Sequence, residues 1–221
     1  CRVTTNLIAL RKPGDAINCF ETAYRLDPEL DWKWPHVRYW YGAALFSLKR
    51  IKEALVQVNI GLSLAPDNSY LLDQKAALLT KLWHSDSVYE NEALEYFKFR
   101  VSVKQGDFAS LNELIQLFAR RSAPDAVWPM IEDNLKCKFA IKDYAEKAGI
   151  TLSQLGIGFA TASAYWEYRE DNPLSYYLNI LRDNGVLSNP AIEKTLWVLL
   201  MAPFGQLRQK VTSAARALQG N

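Results

Sequence analysis

Cysteine, histidine and methionine are scarce in this chain: three, two and two residues among 221. Cys1, Cys19 and Cys137 are too few and too scattered for a disulfide framework, and any pair would leave one over. Reduced thiols in a reducing compartment are therefore expected. His36 and His84 have no Cys or carboxylate around them at metal-ligand spacing, so no zinc or non-haem iron site is predicted, and both read as surface residues. Long apolar runs are missing too. The stretch 152–164 contains Gln154 and small polar residues, and 195–205 is broken by Pro203. Neither supplies the roughly 20 apolar residues of a membrane span. No excess of one charge sign exists either: 26 Lys+Arg stand against 24 Asp+Glu, a net +2. Such a chain lacks the electrostatic footprint of a protein whose main partner is nucleic acid or an anionic membrane.

What is present is ordinary globular composition, 49% hydrophobic and 23% charged, which excludes wholesale disorder and collagen-like design. No basic segment followed by an apolar one precedes the first periodic stretch, so no secretory signal is read and a cytoplasmic location is expected. A lipid-anchored Cys1 is the alternative. The only methionines are Met130 and Met201, and the expectation is that this is a piece of a longer chain.

Apolar residues recur at i, i+3, i+4 and i+7 nearly throughout, and no segment alternates with period two. Punctuation by Pro, Gly, Asp and Asn predicts helices over 16–26, 36–48, 51–64, 70–83, 89–103, 108–121, a run from 123, 141–147, 152–168, 173–184, 190–201 and 206–218. Asp107 and Ser122 read as N-caps, with Pro124 in a first turn where its missing N–H is harmless. Helices of this length joined by short loops predict an all-α protein of stacked helical hairpins.

The segment 15–28 aligns with 53–66. Ala16 meets Ala54, Phe20 meets Val58, Ala23 meets Gly61, and Pro28 meets Pro66. Small residues let helices of adjacent hairpins approach, the large one fills the gap, and the proline ends the helix. This resembles the second helix of a tetratricopeptide repeat. Tyr41-Gly42 with Leu45 resembles the first helix of the second repeat, and Leu48-Lys49-Arg50-Ile51 its inter-helix turn. A fainter third unit has Ala76 and Leu79 in its first helix and Ala93 and Phe97 in its second, with about five extra residues around 85–91. Arg100 and Gln105 stand where a small residue and Pro would be, and 31–35 lengthens one connection. The resemblance covers residues 1–104. For 105–221 only the helical-hairpin style continues, as divergent repeats or a separate helical region.

The resemblance implies a solenoid and a concave groove, lined by first helices, that binds a peptide or partner protein. In the second unit the groove positions would be His36, Tyr39, Trp40, Ala43 and Phe46, and in the third Tyr70, Asp73, Gln74 and Ala77. The basic clamp that some relatives close on an acidic C-terminus is not expected, since Trp40 and Gln74 replace its polar and basic residues. Trp40 and Phe46 read first as packing between hairpins. Tyr39 and Tyr70 are better groove candidates, because a phenol joins an apolar body to a polar tip. Trp32 and Trp34 sit in the lengthened loop, either stapling it or exposed for recognition.

No catalytic constellation emerges, and neither an enzymatic activity nor a cofactor is predicted. Gly156-Ile157-Gly158 lacks the preceding strand and third glycine of a dinucleotide loop. The segment 144–155 resembles a helix-turn-helix through Ala145, Gly149, Ile150 and Leu155, but the following helix carries no basic residue to reach base edges. The favoured reading is a non-enzymatic scaffold or adaptor module with a protein or peptide partner. Alternatives are the docking or regulatory arm of a larger enzyme, and a helical nucleic-acid binder through 144–155. Self-association is left open.

Overall fold

The structure, a computed structural model, describes residues 12–30, 34, 36–135, 141–168 and 174–185. Helices expected over 190–201 and 206–218, and the residues Cys1 and Trp32, lie outside the described residues. Those described form helices and turns, with no strand among them. Ten α-helices are described: α1 Pro13–Leu26, α2 Val37–Ser47, α3 Ile51–Leu64, α4 Ser69–Ser85, α5 Glu90–Val103, α6 Phe108–Arg120, α7 Trp128–Leu135, α8 Ile141–Ala148, α9 Leu152–Tyr168 and α10 Leu174–Asp183. Short 3-10 turns, Ser87–Tyr89 and Pro124–Val127, precede α5 and α7. The chain divides into two compact units, Cys1–Ala93 and Leu94–Asn221. The border therefore falls within α5, ahead of the one at 104 expected from the repeats.

Helix ends follow local chemistry. α1 starts at Pro13, earlier than the expected 16, because proline's fixed φ suits a first helical position and needs no N–H partner. Asn68 caps α4 by accepting from the Leu71 N–H at 3.2 Å. Asp107 caps α6 through Ser110 N–H, also at 3.2 Å. Thr151 and Gln154 cap α9 reciprocally: Thr151 Oγ1 accepts from Gln154 N–H, and Gln154 Oε1 from Thr151 N–H. The expected cap at Ser122 is a correction. Ser122 lies at φ 55 and closes α6, with its N–H on Ala119 O and the Ala123 N–H on Phe118 O. A left-handed residue is needed to satisfy the last carbonyls, and with no glycine available the serine takes that place. The following turn starts after Ala123 without a side-chain cap.

In the first unit, α1 packs on α2, α2 on α3, and α3 on α4, and α2 also touches α4. Ala16 and Ala54 are wholly buried, Gly61 is buried and Ala23 half-buried. A Cβ on Gly61 would meet Leu71 Cδ1 at 2.8 Å and Arg38 Cβ at 2.9 Å, so the three helices converge there at backbone distance. Phe20, Val58, Leu71, Leu78, Leu79 and Trp83 fill the core. Across α1 and α2, Phe20 stacks on Tyr41 at 5.2 Å between centroids, and the Arg38 guanidinium lies 4.2 Å over the Tyr24 ring while donating to Gln57. Burial, followed by the neighbouring Glu21 carboxylate, raises the Tyr41 phenol above its ordinary pKa. Lys52 reaches Asp86 at 3.2 Å. The Val88 N–H and then Lys52 hold the Asp86 carboxyl below its usual range.

In the second unit, α6 lies along α9, and α9 also packs on α10. Leu111, Leu114, Leu117, Ile131 and Phe159 are wholly buried, and Phe108 stacks on Phe159 at 5.6 Å and 5°. Gly156 permits the α6–α9 approach: a Cβ there would meet Asn112 Oδ1 at 3.1 Å and Ile115 Cγ2 at 3.4 Å. The C-terminus of α5 is held by buried Asn134, whose Nδ2 donates to Val101 O (2.6 Å) and Lys104 O (2.8 Å) while its Oδ1 accepts from Gly106 N–H (3.0 Å). No helix among the described residues is long and apolar enough to cross a membrane.

Candidate functional site

The contact between α2 and α4 brings together residues from two of the groove positions read from the sequence. Tyr39 on α2 and Tyr70 at the start of α4 meet at 5.8 Å between centroids, tilted by 58°. Trp40 stands edge-on to Tyr39 at 4.9 Å. Gln74, one turn after Tyr70, donates from Nε2 to the Tyr39 carbonyl at 3.1 Å. This is possible because residue 42 is glycine, for a Cβ there would meet both Gln74 Oε1 and Val58 Cγ2 at 3.1 Å. Among the described residues the buried Gln74 Oε1 atom finds no hydrogen-bond partner, a situation that costs about 1–3 kcal/mol.

Exposure sorts the remaining candidates. Tyr70 is 68% exposed, so most of its ring faces solvent. Tyr39, Trp40, Ala43 and Gln74 are half-buried, and His36, Asp73 and Ala77 are exposed. Phe46 is 37% exposed. The expected packing role between hairpins therefore suits it less well than Trp40, because the end of α2 is uncovered at that point. His36 sits just before α2 with its ring edge-on to Trp34 at 5.7 Å. Trp34 is 56% exposed, so the lengthened connection carries an open indole beside a predicted groove residue. The surface is thus aromatic, presenting ring faces, phenol tips and a carboxylate.

Elsewhere one deeply buried pair of charged groups has structural work. Arg100 and Asp107, 5% exposed each, pair at 2.9 Å, and the same carboxylate caps α6. Among the described residues, no group of three or more His, Cys, Asp or Glu side chains is placed to hold a metal ion.

Two concavities escaped the sequence reading. One, of about 430 Å³, lies along α6 and α9, lined by Asn112, Ile115, Gln116, Leu152, Ser153 and Gly156 among others. Its only sequence signal is Gly156, considered there only as part of an incomplete dinucleotide-loop pattern. The other runs along the outer face of α1 beside Asn18, Glu21, Thr22 and Arg25. The helix-turn-helix segment does fold as a tight turn. Gly149 takes φ +69, Ile150 N–H bonds to Ala145 O at 2.8 Å, and Ala145, Ile150 and Leu155 are buried. The helix that follows has no Lys or Arg along its length, so it presents no cationic side chain to phosphate or to the guanine edge.

Neither a family model, nor a curated protein, nor a solved structure matches this chain.

Proposed function

We propose that the first unit is a tetratricopeptide-like helical-hairpin module that binds a peptide or a partner protein on its α2–α4 face, without catalysis. One observation carries the reading: the Tyr39–Tyr70 contact, backed by the Gln74 bond to the Tyr39 carbonyl. It supports the reading because first helices of successive hairpins, which would line a groove, are the pair that must touch across one intervening helix. α2 and α4 do so over α3. The buried Ala16 and Ala54 and the close approach at Gly61 support the same register. Half-buried rings with exposed edges are suited to recognition, since aromatic anchors bring large apolar area at small entropic cost.

The test is affinity capture with the full-length protein and with a Tyr39→Ala/Tyr70→Ala variant. The expected result is loss of captured partners at an unchanged helical circular-dichroism spectrum. Retention of every partner by the variant would remove this face from consideration.

A further inference from the structure

The second unit carries a groove with hydrogen-bonding capacity left over. Along the α6–α9 concavity, of about 430 Å³, Asn112 and Gln116 stand four residues apart on α6 and are half-buried. That spacing makes them neighbours on one helix face, about 6 Å apart along the axis. Among the described residues neither carboxamide makes a hydrogen bond. Carboxamides elsewhere are used: Asn134 bonds Val101 O, Lys104 O and Gly106 N–H, and Gln154 bonds Thr151 and Gly185 O. The floor beside Asn112 is open because residue 156 is glycine, where a Cβ would stand 3.1 Å from Asn112 Oδ1. Ile115, Leu152 and Ile157 supply apolar walls, and no charged side chain lines the groove.

A carboxamide offers one acceptor oxygen and two N–H donors, which matches the N–H and C=O that one residue of an extended chain presents along its edge. Backbone groups on that edge recur every second residue, about 6.6–6.8 Å apart, close to the spacing of the two carboxamides. From Asn112 to Ala119 the α6 wall runs about 10 Å, the length of about three extended residues. We infer that the α6–α9 groove binds a short extended segment of a partner polypeptide by its backbone, the two carboxamides bonding the N–H and C=O of its first and third residues. Recognition of this kind reads the edge of a chain before its side chains. With no charge lining the groove, a charged side chain directed inward would go unpaired. The site belongs to the second unit and does not depend on the Tyr39–Tyr70 face.

The experiment is retention of the full chain on immobilised octapeptide pools randomised over uncharged residues, in a Tyr39→Ala/Tyr70→Ala background so that the first unit's face does not contribute. Three pools are compared: unmodified, N-methylated at alternate residues, and N-methylated throughout. Alternate methylation leaves one edge of each peptide intact, so the first two pools are expected to retain the protein alike. Full methylation removes the N–H donors of both edges and should lower retention about five-fold for each hydrogen bond lost. Asn112→Leu/Gln116→Leu, at an unchanged helical circular-dichroism spectrum, should bring the unmodified pool down to the fully methylated level. Asn112→Asp/Gln116→Glu, which keeps the shape but loses the donors, should do likewise. No retention by the unmodified pool, equal retention by all three, or a difference between pools that survives both double variants would overturn the proposal. The same pools with Tyr39 and Tyr70 restored read the first unit separately, so failure of one site is distinguished from failure of the other.

Discussion

Gly61 of α3 faces Leu71 of α4 so closely that a methyl group on its α-carbon would stand 2.8 Å from Leu71 Cδ1, with Arg38 Cβ of α2 at 2.9 Å on the other side. Three helices meet at one hydrogen atom. Leu71 is wholly buried and cannot swing away without emptying the core. Gly61→Ala is expected to destabilise the first unit by about 1–3 kcal/mol through overpacking, seen as a lower urea midpoint. Gly14 is the control. A Cβ there meets nothing within 4 Å, and Gly14→Ala in the first turn of α1 should be neutral or stabilising by up to about 1 kcal/mol.

Asp107 has two duties, and one substitution separates them. Asn caps helices as well as Asp does, so Asp107→Asn keeps an acceptor for the Ser110 N–H while removing the charge that faces Arg100. The guanidinium, 5% exposed, then loses this counter-charge. A loss of about 3–5 kcal/mol is expected, the range for breaking a buried ion pair from one side. Chemical unfolding measures it. A loss below about 1 kcal/mol would mean that other groups or water hold the Arg100 charge once Asp107 is neutral.

Gln74 presents the opposite case. Its Nε2 is bonded but its Oε1 is buried and unpaired. Gln74→Met keeps the length, gives up one hydrogen bond of about 1 kcal/mol and removes an acceptor that costs a similar amount. Stability should change by less than about 1 kcal/mol, while the Tyr39 carbonyl loses its side-chain partner and, on the proposed groove reading, partner binding weakens. A large fall in melting temperature would show that Oε1 has a partner in solution.

Lys49 holds φ 60 in the turn between α2 and α3, and Arg50 N–H bonds back to Leu45 O at 3.0 Å. A left-handed conformation costs a non-glycine residue about 1–2 kcal/mol, partly offset by the freedom glycine gains when unfolded. Lys49→Gly should therefore raise stability by up to about 1 kcal/mol. The unfolding midpoint reads this directly, and a decrease would place the strain elsewhere in the turn.

Much of the local structure was legible because it rests on local chemistry. The bounds of α3 and α9 agree with the pattern residue by residue, since Pro66 and Thr151 act on backbone groups within a turn of themselves. Ala16 and Ala54 were found by comparing the chain with itself, which senses packing only where packing repeats. Ser122 was misread because capping preference is a property of residue type, whereas its left-handed conformation answers the last carbonyls of the helix before it. The groove residues were placed by a resemblance, and nothing in their spacing told Trp40 from Phe46. Their exposures differ because of what lies against each end of α2.

Periodicity and punctuation by themselves determined that the described chain is helical, and where most helices start and stop, because hydrogen bonding within a helix spans four residues. Tertiary structure decided which distant groups complete one another: Asn134 on the carbonyls of Val101 and Lys104, Gln74 on that of Tyr39, Gly61 against Leu71. These depend on desolvation and on contact at van der Waals distance, and both exist only once helices far apart in sequence have been brought together.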